Sequence, residues 1–209
     1  MVTKRIFSAV TVPSGSLIAA LVLLFLSSVA FGSADFVRWD IISVTPLPVP
    51  PVTSSTSLNP GGVAFASADA NLGIELTGSG TFVAPNSGGG SSAVTGGGTW
   101  ETFNGSTSTG SGTYRVTNLA SWEFANFQTL TPIDNIGDPN ERANGNAVLG
   151  IVYSDGSLGI LGVGCHGPGA PAGIQEGVIA TKDFVTYWSA KPPLPTVDAN
   201  RTLFHLHLL

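Results

Sequence analysis

The chain has three histidines, and two of them, His205 and His207, stand one residue apart near its end. In Phe204-His205-Leu206-His207-Leu208, strand alternation puts both imidazoles on one face and the apolar side chains on the other. Two imidazoles in this arrangement are a sound start for a zinc, copper or iron site. Cys165, His166 or a carboxylate such as Glu176 would complete it, and the chemistry would be that of a metal-dependent barrel enzyme. The plainer account is a terminal strand whose apolar face is buried and whose polar face is outside.

Cys165 is the only cysteine, so no internal disulfide can form and stability must come from packing and sheet hydrogen bonds. Its apolar, glycine-rich neighbours favour a small buried residue over a reactive thiol. His166 follows it directly, and adjacent residues of a strand point to opposite faces, which forbids a Cys–His dyad there. Gly162-Val163-Gly164-Cys165-His166-Gly167 matches a dinucleotide-binding glycine pattern. That chemistry needs a helix to begin at the turn, and Pro168-Gly169-Ala170-Pro171 prevents one. No nucleophile elbow of the form G-x-S-x-G occurs. The acid–base candidates are Glu75, Glu101, Glu123 and Glu176; Glu101 and Glu123 each face away from the tryptophan beside them and read as solvated. Asp134, Asp138, Asn140 and Glu141 supply oxygen donors on one long loop, without the spacing of a calcium loop.

The elements that would hold these residues are legible in a repeat. Thr77-Gly78-Ser79-Gly80-Thr81-Phe82, Thr95-Gly96-Gly97-Gly98-Thr99-Trp100 and Thr109-Gly110-Ser111-Gly112-Thr113-Tyr114 share the form T-G-x-G-T-aromatic. Each hands a flexible glycine backbone to a threonine–aromatic pair that favours strand. Further strands are expected at 63–67, 73–77, 81–84, 99–103, 114–118, 122–128, 147–153, 158–164, 177–182, 185–189 and 202–208. Glycine and proline interrupt nearly every window long enough for an amphipathic helix. The expected fold is all-β, an antiparallel barrel, with a β-sandwich as the alternative. If the repeats have like backbones, Phe82, Trp100 and Tyr114 point to one side of the sheet. With Trp122 they form either an aromatic core layer or the lining of a ligand pocket.

Gly98-Thr99-Trp100 resembles the G-x-W of the calycins, the lipocalin-, fatty-acid-binding- and avidin-type barrels, in which the tryptophan closes one barrel end. The resemblance implies a small, mostly apolar ligand.

Residues 1–34 read as a secretory signal peptide. Lys4 and Arg5 precede the apolar run LIAALVLLFLSSVAF, and small residues follow that allow cleavage after Ala30 or Ala34. The run is shorter than the roughly 20 residues a spanning helix needs. Residues 35–62 read as an N-terminal strand and a Pro/Ser/Thr-rich connector, and 63–209 as the barrel domain. Cleavage removes Lys4 and Arg5 but no acidic residue, so six cations, scattered singly, face thirteen carboxylates, a net charge of −7. That distribution excludes nucleic acid and anionic lipid surfaces as partners. Asn104-Gly105-Ser106 and Asn200-Arg201-Thr202 are glycosylation sequons. With no recognisable catalytic set, the leading expectation is a secreted, cofactor-free binding barrel. Its partner would be a small apolar ligand or a surface component, with no membrane contact after cleavage. The alternatives are a metal enzyme using His205 and His207 with Cys165, and an envelope-associated structural protein if the apolar start is retained.

Overall fold

The computed structural model describes residues 35–47, 53–85, 89–129 and 132–209. The expected signal peptide lies outside them, as do five residues of the proline-rich connector. Residues 34–209 form one compact unit. Its strands are β1 (Phe36–Thr45), β2 (Ser57–Pro60), β3 (Ala64–Ser67), β4 (Leu72–Leu76), β5 (Ser79–Val83), β6 (Val94–Asn104), β7 (Thr107–Phe127), β8 (Ile133–Asp134), β9 (Arg142–Tyr153), β10 (Leu158–Cys165), β11 (Gly177–Lys182), β12 (Val185–Tyr187), β13 (Ser189–Ala190) and β14 (Arg201–His207).

Six of them close on themselves. β1 pairs β5, β5 pairs β6, β6 pairs β7, β7 pairs β9, β9 pairs β14 and β14 returns to β1, every pair antiparallel. Closure leaves these strands no free edge, which an open sheet otherwise exposes to aggregation. β1, set apart from the barrel in the sequence reading, is one of its staves and pairs along both sides. Beyond the ring, β6 goes on to pair β4, then β3 and β13, while β9 goes on to pair β10, β11 and β12. Trp188 alone separates β12 from β13, so the chain itself joins the ends of the two wings.

The first two hexapeptides lie against each other. T-G-x-G-T reads the same in both directions, so an antiparallel pair matches like with like. Thr81 faces Thr95, Gly80 faces Gly96 and Ser79 faces Gly97. The amide of Thr77 donates to the Thr99 carbonyl at 3.1 Å, and the hydroxyl pairs Thr77–Thr99 and Thr81–Thr95 both sit at 2.7 Å. The backbones approach closely enough that a Cβ on Gly98 would lie 1.9 Å from the Thr77 carbonyl oxygen. The third copy supplies room for a ring: a Cβ on Gly112 would lie 3.1 Å from Trp100 Nε1. Glycine here lets strands cross and rings lie flat on them.

The four aromatics named from sequence are all buried. They divide between two clusters. Phe82 meets Trp122 edge-on at 5.3 Å between centroids, and Trp122 meets Phe204 at 4.8 Å. Trp100 and Tyr114 instead pack against Tyr153, at 5.5 and 6.4 Å. Lys182 Nζ caps the second cluster, 4.3 Å from the Trp100 ring and 4.8 Å from that of Tyr153.

β7 is a single strand of 21 residues where the sequence suggests two shorter ones. Its register shifts against β9 between Val116 and Asn118 and again between Leu119 and Ser121. Each shift inserts one extra residue, so the buried positions Val116, Leu119 and Trp122 recur every third residue. Phe124, which strict strand alternation would place on the face of Trp122, is exposed and packs on Phe127.

Candidate functional site

The expected histidine face exists, but the long loop covers it. β8 and a short 3-10 turn at Pro139–Glu141 lay residues 133–141 along β14. Asp134 Oδ2 accepts from His205 Nε2 at 3.0 Å, and Arg142 Nε stands 3.8 Å from the same oxygen. All three side chains are buried, and His205 Nδ1 has no hydrogen-bond partner among the described residues. His207 is exposed and meets Glu141 through Nδ1. Asp138 caps the 3-10 turn, Oδ1 accepting from the Asn140 amide at 2.8 Å. Each histidine therefore has its own carboxylate. Cys165 is elsewhere, with Sγ 3.4 Å from the Thr202 carbonyl and 3.4 Å from Gln128 Nε2. Among the described residues, no three His, Cys, Asp or Glu side chains gather as a metal site.

A different group of residues converges where β1, β2 and β14 meet the segments leaving β10 and entering β11. They line a cleft of about 450 Å³. Ile42, Val44, Leu58, Leu203, Pro132, Pro168 and Pro193 make its apolar walls, and Cys165, His166, Gln128, Arg201, Thr202 and Glu176 its polar lining. The cleft draws its lining from several elements because β1 outruns β5, β14 starts here, and β10 ends at Cys165. The proline-rich exit from β10, which rules out a helix, forms one lip.

Glu176 is the best-fixed group in this cleft. Its Oε1 accepts from the Thr202 amide at 2.6 Å, and its Oε2 accepts from the His166 amide at 2.5 Å. Thr202 Oγ1 lies 2.6 Å from the Gly164 carbonyl and 3.2 Å from Glu176 Oε1. A hydroxyl has one proton, and the nearer carbonyl takes it, so an oxygen lone pair remains for a protonated Glu176. Burial raises the carboxyl to about 7 despite the two amide hydrogen bonds, which stabilise its ionised form. The same carboxylate bears on its neighbour: burial first, then the charge of Glu176, push the Cys165 thiol well above its ordinary range. Both effects favour the thiol form of Cys165 over the thiolate.

His166 is exposed, and its Nδ1 lies 2.7 Å from the Ile174 carbonyl. A carbonyl can only accept, so Nδ1 carries a proton and donates to it. The Arg201 guanidinium is committed to the neighbouring segment, Nη1 donating to the carbonyls of Val197 and Ala199 and Nη2 to that of Leu194. Beyond Glu176 and Pro193 a second hollow of about 320 Å³ runs to Trp188.

Of the four glutamates singled out, Glu176 alone lines this cleft. Glu123 is exposed, and Glu75 faces Glu101 across adjacent strands. Burial and that like charge raise Glu75 above the usual carboxylate range. Phe82, Trp100, Tyr114 and Trp122 are not among the residues lining the cleft. Gln128, Arg201 and Thr202 were not singled out as site residues, since the latter two were read only as part of a sequon. Comparison with known protein families, with curated proteins and with solved structures finds no match to this chain.

Proposed function

We propose that this is an exported binding barrel whose ligand, a small and largely apolar molecule, occupies the cleft beside β1 and β14. The supporting observation is the composition of that cleft. Apolar side chains from β1, β2 and β14 surround one carboxylate fixed by two backbone amides. Small-molecule sites have this character: mostly hydrophobic walls with a few placed polar groups that fix orientation. The closed ring gives the walls a rigid support, and the calycin resemblance points to the same class of ligand. The thiol held in its protonated form, and a carboxylate with no nucleophile beside it, favour binding over covalent catalysis.

Ala170→Trp tests the reading, because Ala170 sits on the loop lip of the cleft. Mass spectrometry under native conditions on protein from its own host should show a bound small molecule. Its loss in the variant, with thermal stability retained, is the expected result. Equal occupancy in both proteins would place the ligand elsewhere.

A further inference from the structure

We propose that the cleft selects a cation: its ligand is an amphiphile with one protonated amine, and Glu176 pairs with that ammonium. This rests on the preceding reading of the cleft as the binding site.

The reason lies in how the chain treats its fully buried carboxylate side chains: Asp40 is paired with Arg38, and Asp134 with His205 and Arg142. Glu176 has no ion pair among the described residues; its oxygens are met by two amides and a hydroxyl. Those amides orient the carboxylate but leave its charge without a directly bonded cation, in a site whose walls are largely apolar. Arg201 lines the same cleft, yet its Nη1 and Nη2 are turned to three main-chain carbonyls. Burying a carboxylate is costly unless a cation completes it. A ligand ammonium supplies that cation, and Ile42, Val44, Leu58 and Leu203 take the apolar body. A charge-assisted hydrogen bond is worth more than a neutral one, which gives selectivity for the amine over an alcohol of the same length.

The test is calorimetric titration of the full mature chain at pH 7.5 with octylamine, 1-octanol and octanoate. Octylammonium should bind at least about tenfold more tightly than octanol, with octanoate weakest. Glu176→Gln should reduce the amine to the level of the alcohol, and Ala170→Trp should abolish both. Octanol equal to the amine, or octanoate tighter than either, overturns charge selection while leaving the cleft as a binding site. Amine binding that survives Ala170→Trp also overturns it, because the site is then another one. If none of the three binds, the cleft reading itself fails. Because the ranking is measured on the native sequence, it stands even if Glu176→Gln does not fold.

Discussion

Asp134 and His205 are 71 residues apart in sequence, and their side chains meet at 3.0 Å beneath a loop that β8 also ties to β2. The same carboxylate accepts from the amides of Ile136 and Gly137 at 2.9 and 3.1 Å, so it also shapes the loop that delivers it. Gly137 lies against the imidazole, where a Cβ would come within 2.8 Å of the ring. Burial alone would raise Asp134, but the bonds from His205 and the two amides outweigh it and hold the carboxyl below its ordinary value. The ionised form is therefore favoured by folding. Its contribution is present above the unfolded carboxylate range and is lost as pH falls through the depressed folded value. Asp134→Asn should cost about 3 kcal/mol at neutral pH, by analogy with other broken buried pairs. It should also shallow the acid limb of the stability profile, measured by urea unfolding from neutral pH downward. Glu141→Gln, beside the exposed His207, should cost less than about 1 kcal/mol. Equal losses in the two variants would mean the loop is held by something other than Asp134.

The palindromic pairing of the repeats gives a steric prediction. Gly98→Ala would drive a Cβ into the Thr77 carbonyl, which is backbone and cannot swing away. A loss of about 3 kcal/mol or more, or failure to fold, is expected. Gly89→Ala is the control, because no described residue lies within 4 Å of the position its Cβ would take. It should shift stability by less than about 0.5 kcal/mol. Thermal unfolding of the two variants side by side checks both.

Strand and turn chemistry made the all-β barrel legible, because T-G-x-G-T-aromatic carries its own local preference wherever it occurs. Gly177–Lys182 is found at the residues expected. What stayed hidden is non-local. The bulges that space Val116, Leu119 and Trp122 by three depend on how β7 crosses β9, and period-two reasoning cannot anticipate them. β1 looked like a strand before a connector because its partners, β5 and β14, lie far along the chain. Glu176 was visible as a glutamate near strand residues, but nothing local says that Thr202 and His166 would turn their amides toward it. The histidine pair shows the opposite error: a correct face, with the carboxylates that occupy it supplied by the long loop, whose place over β14 nothing local announces.

The two sequons differ in a way the fold decides. Asn104 is exposed at the turn between β6 and β7. Asn200 is buried, its Oδ1 accepting from the Phe65 amide at 2.8 Å and its Nδ2 donating to the Pro192 carbonyl at 3.3 Å. A glycan on Asn200 would break both bonds and open the start of β14. Secreted from a glycosylating host, folded protein should carry a glycan at Asn104 alone. Intact mass measurement on Asn104→Gln would show one glycan lost and none remaining. A glycan retained in that variant would mean Asn200 is accessible before the sheet closes.

Glu176 gives the fold a pH dependence opposite in sign to that of Asp134. Its folded value of about 7 lies above the 4.5 of a free glutamate, so between those values the native state keeps a proton that the unfolded chain has released. Stability should therefore fall as pH rises through that window and level off above it. The groups facing Glu176 are His166 from the loop after β10, Cys165 from β10 and Arg201 from β14. Cys165 is moved further above neutral pH, and Arg201, though lowered by burial, keeps its charge throughout this range. Glu176→Gln should remove the decline, which urea unfolding at intervals from pH 4.5 to 8 would resolve. Ligand binding should run the other way. An ammonium pairs with the ionised carboxylate, so its affinity should climb from pH 6 to 8, and binding near pH 7 should release a proton to the buffer. Calorimetry in two buffers of different ionisation enthalpy measures that release directly. Proton uptake instead would mean that the ligand is held by the neutral acid, donating to a carbonyl or hydroxyl in place of an amine.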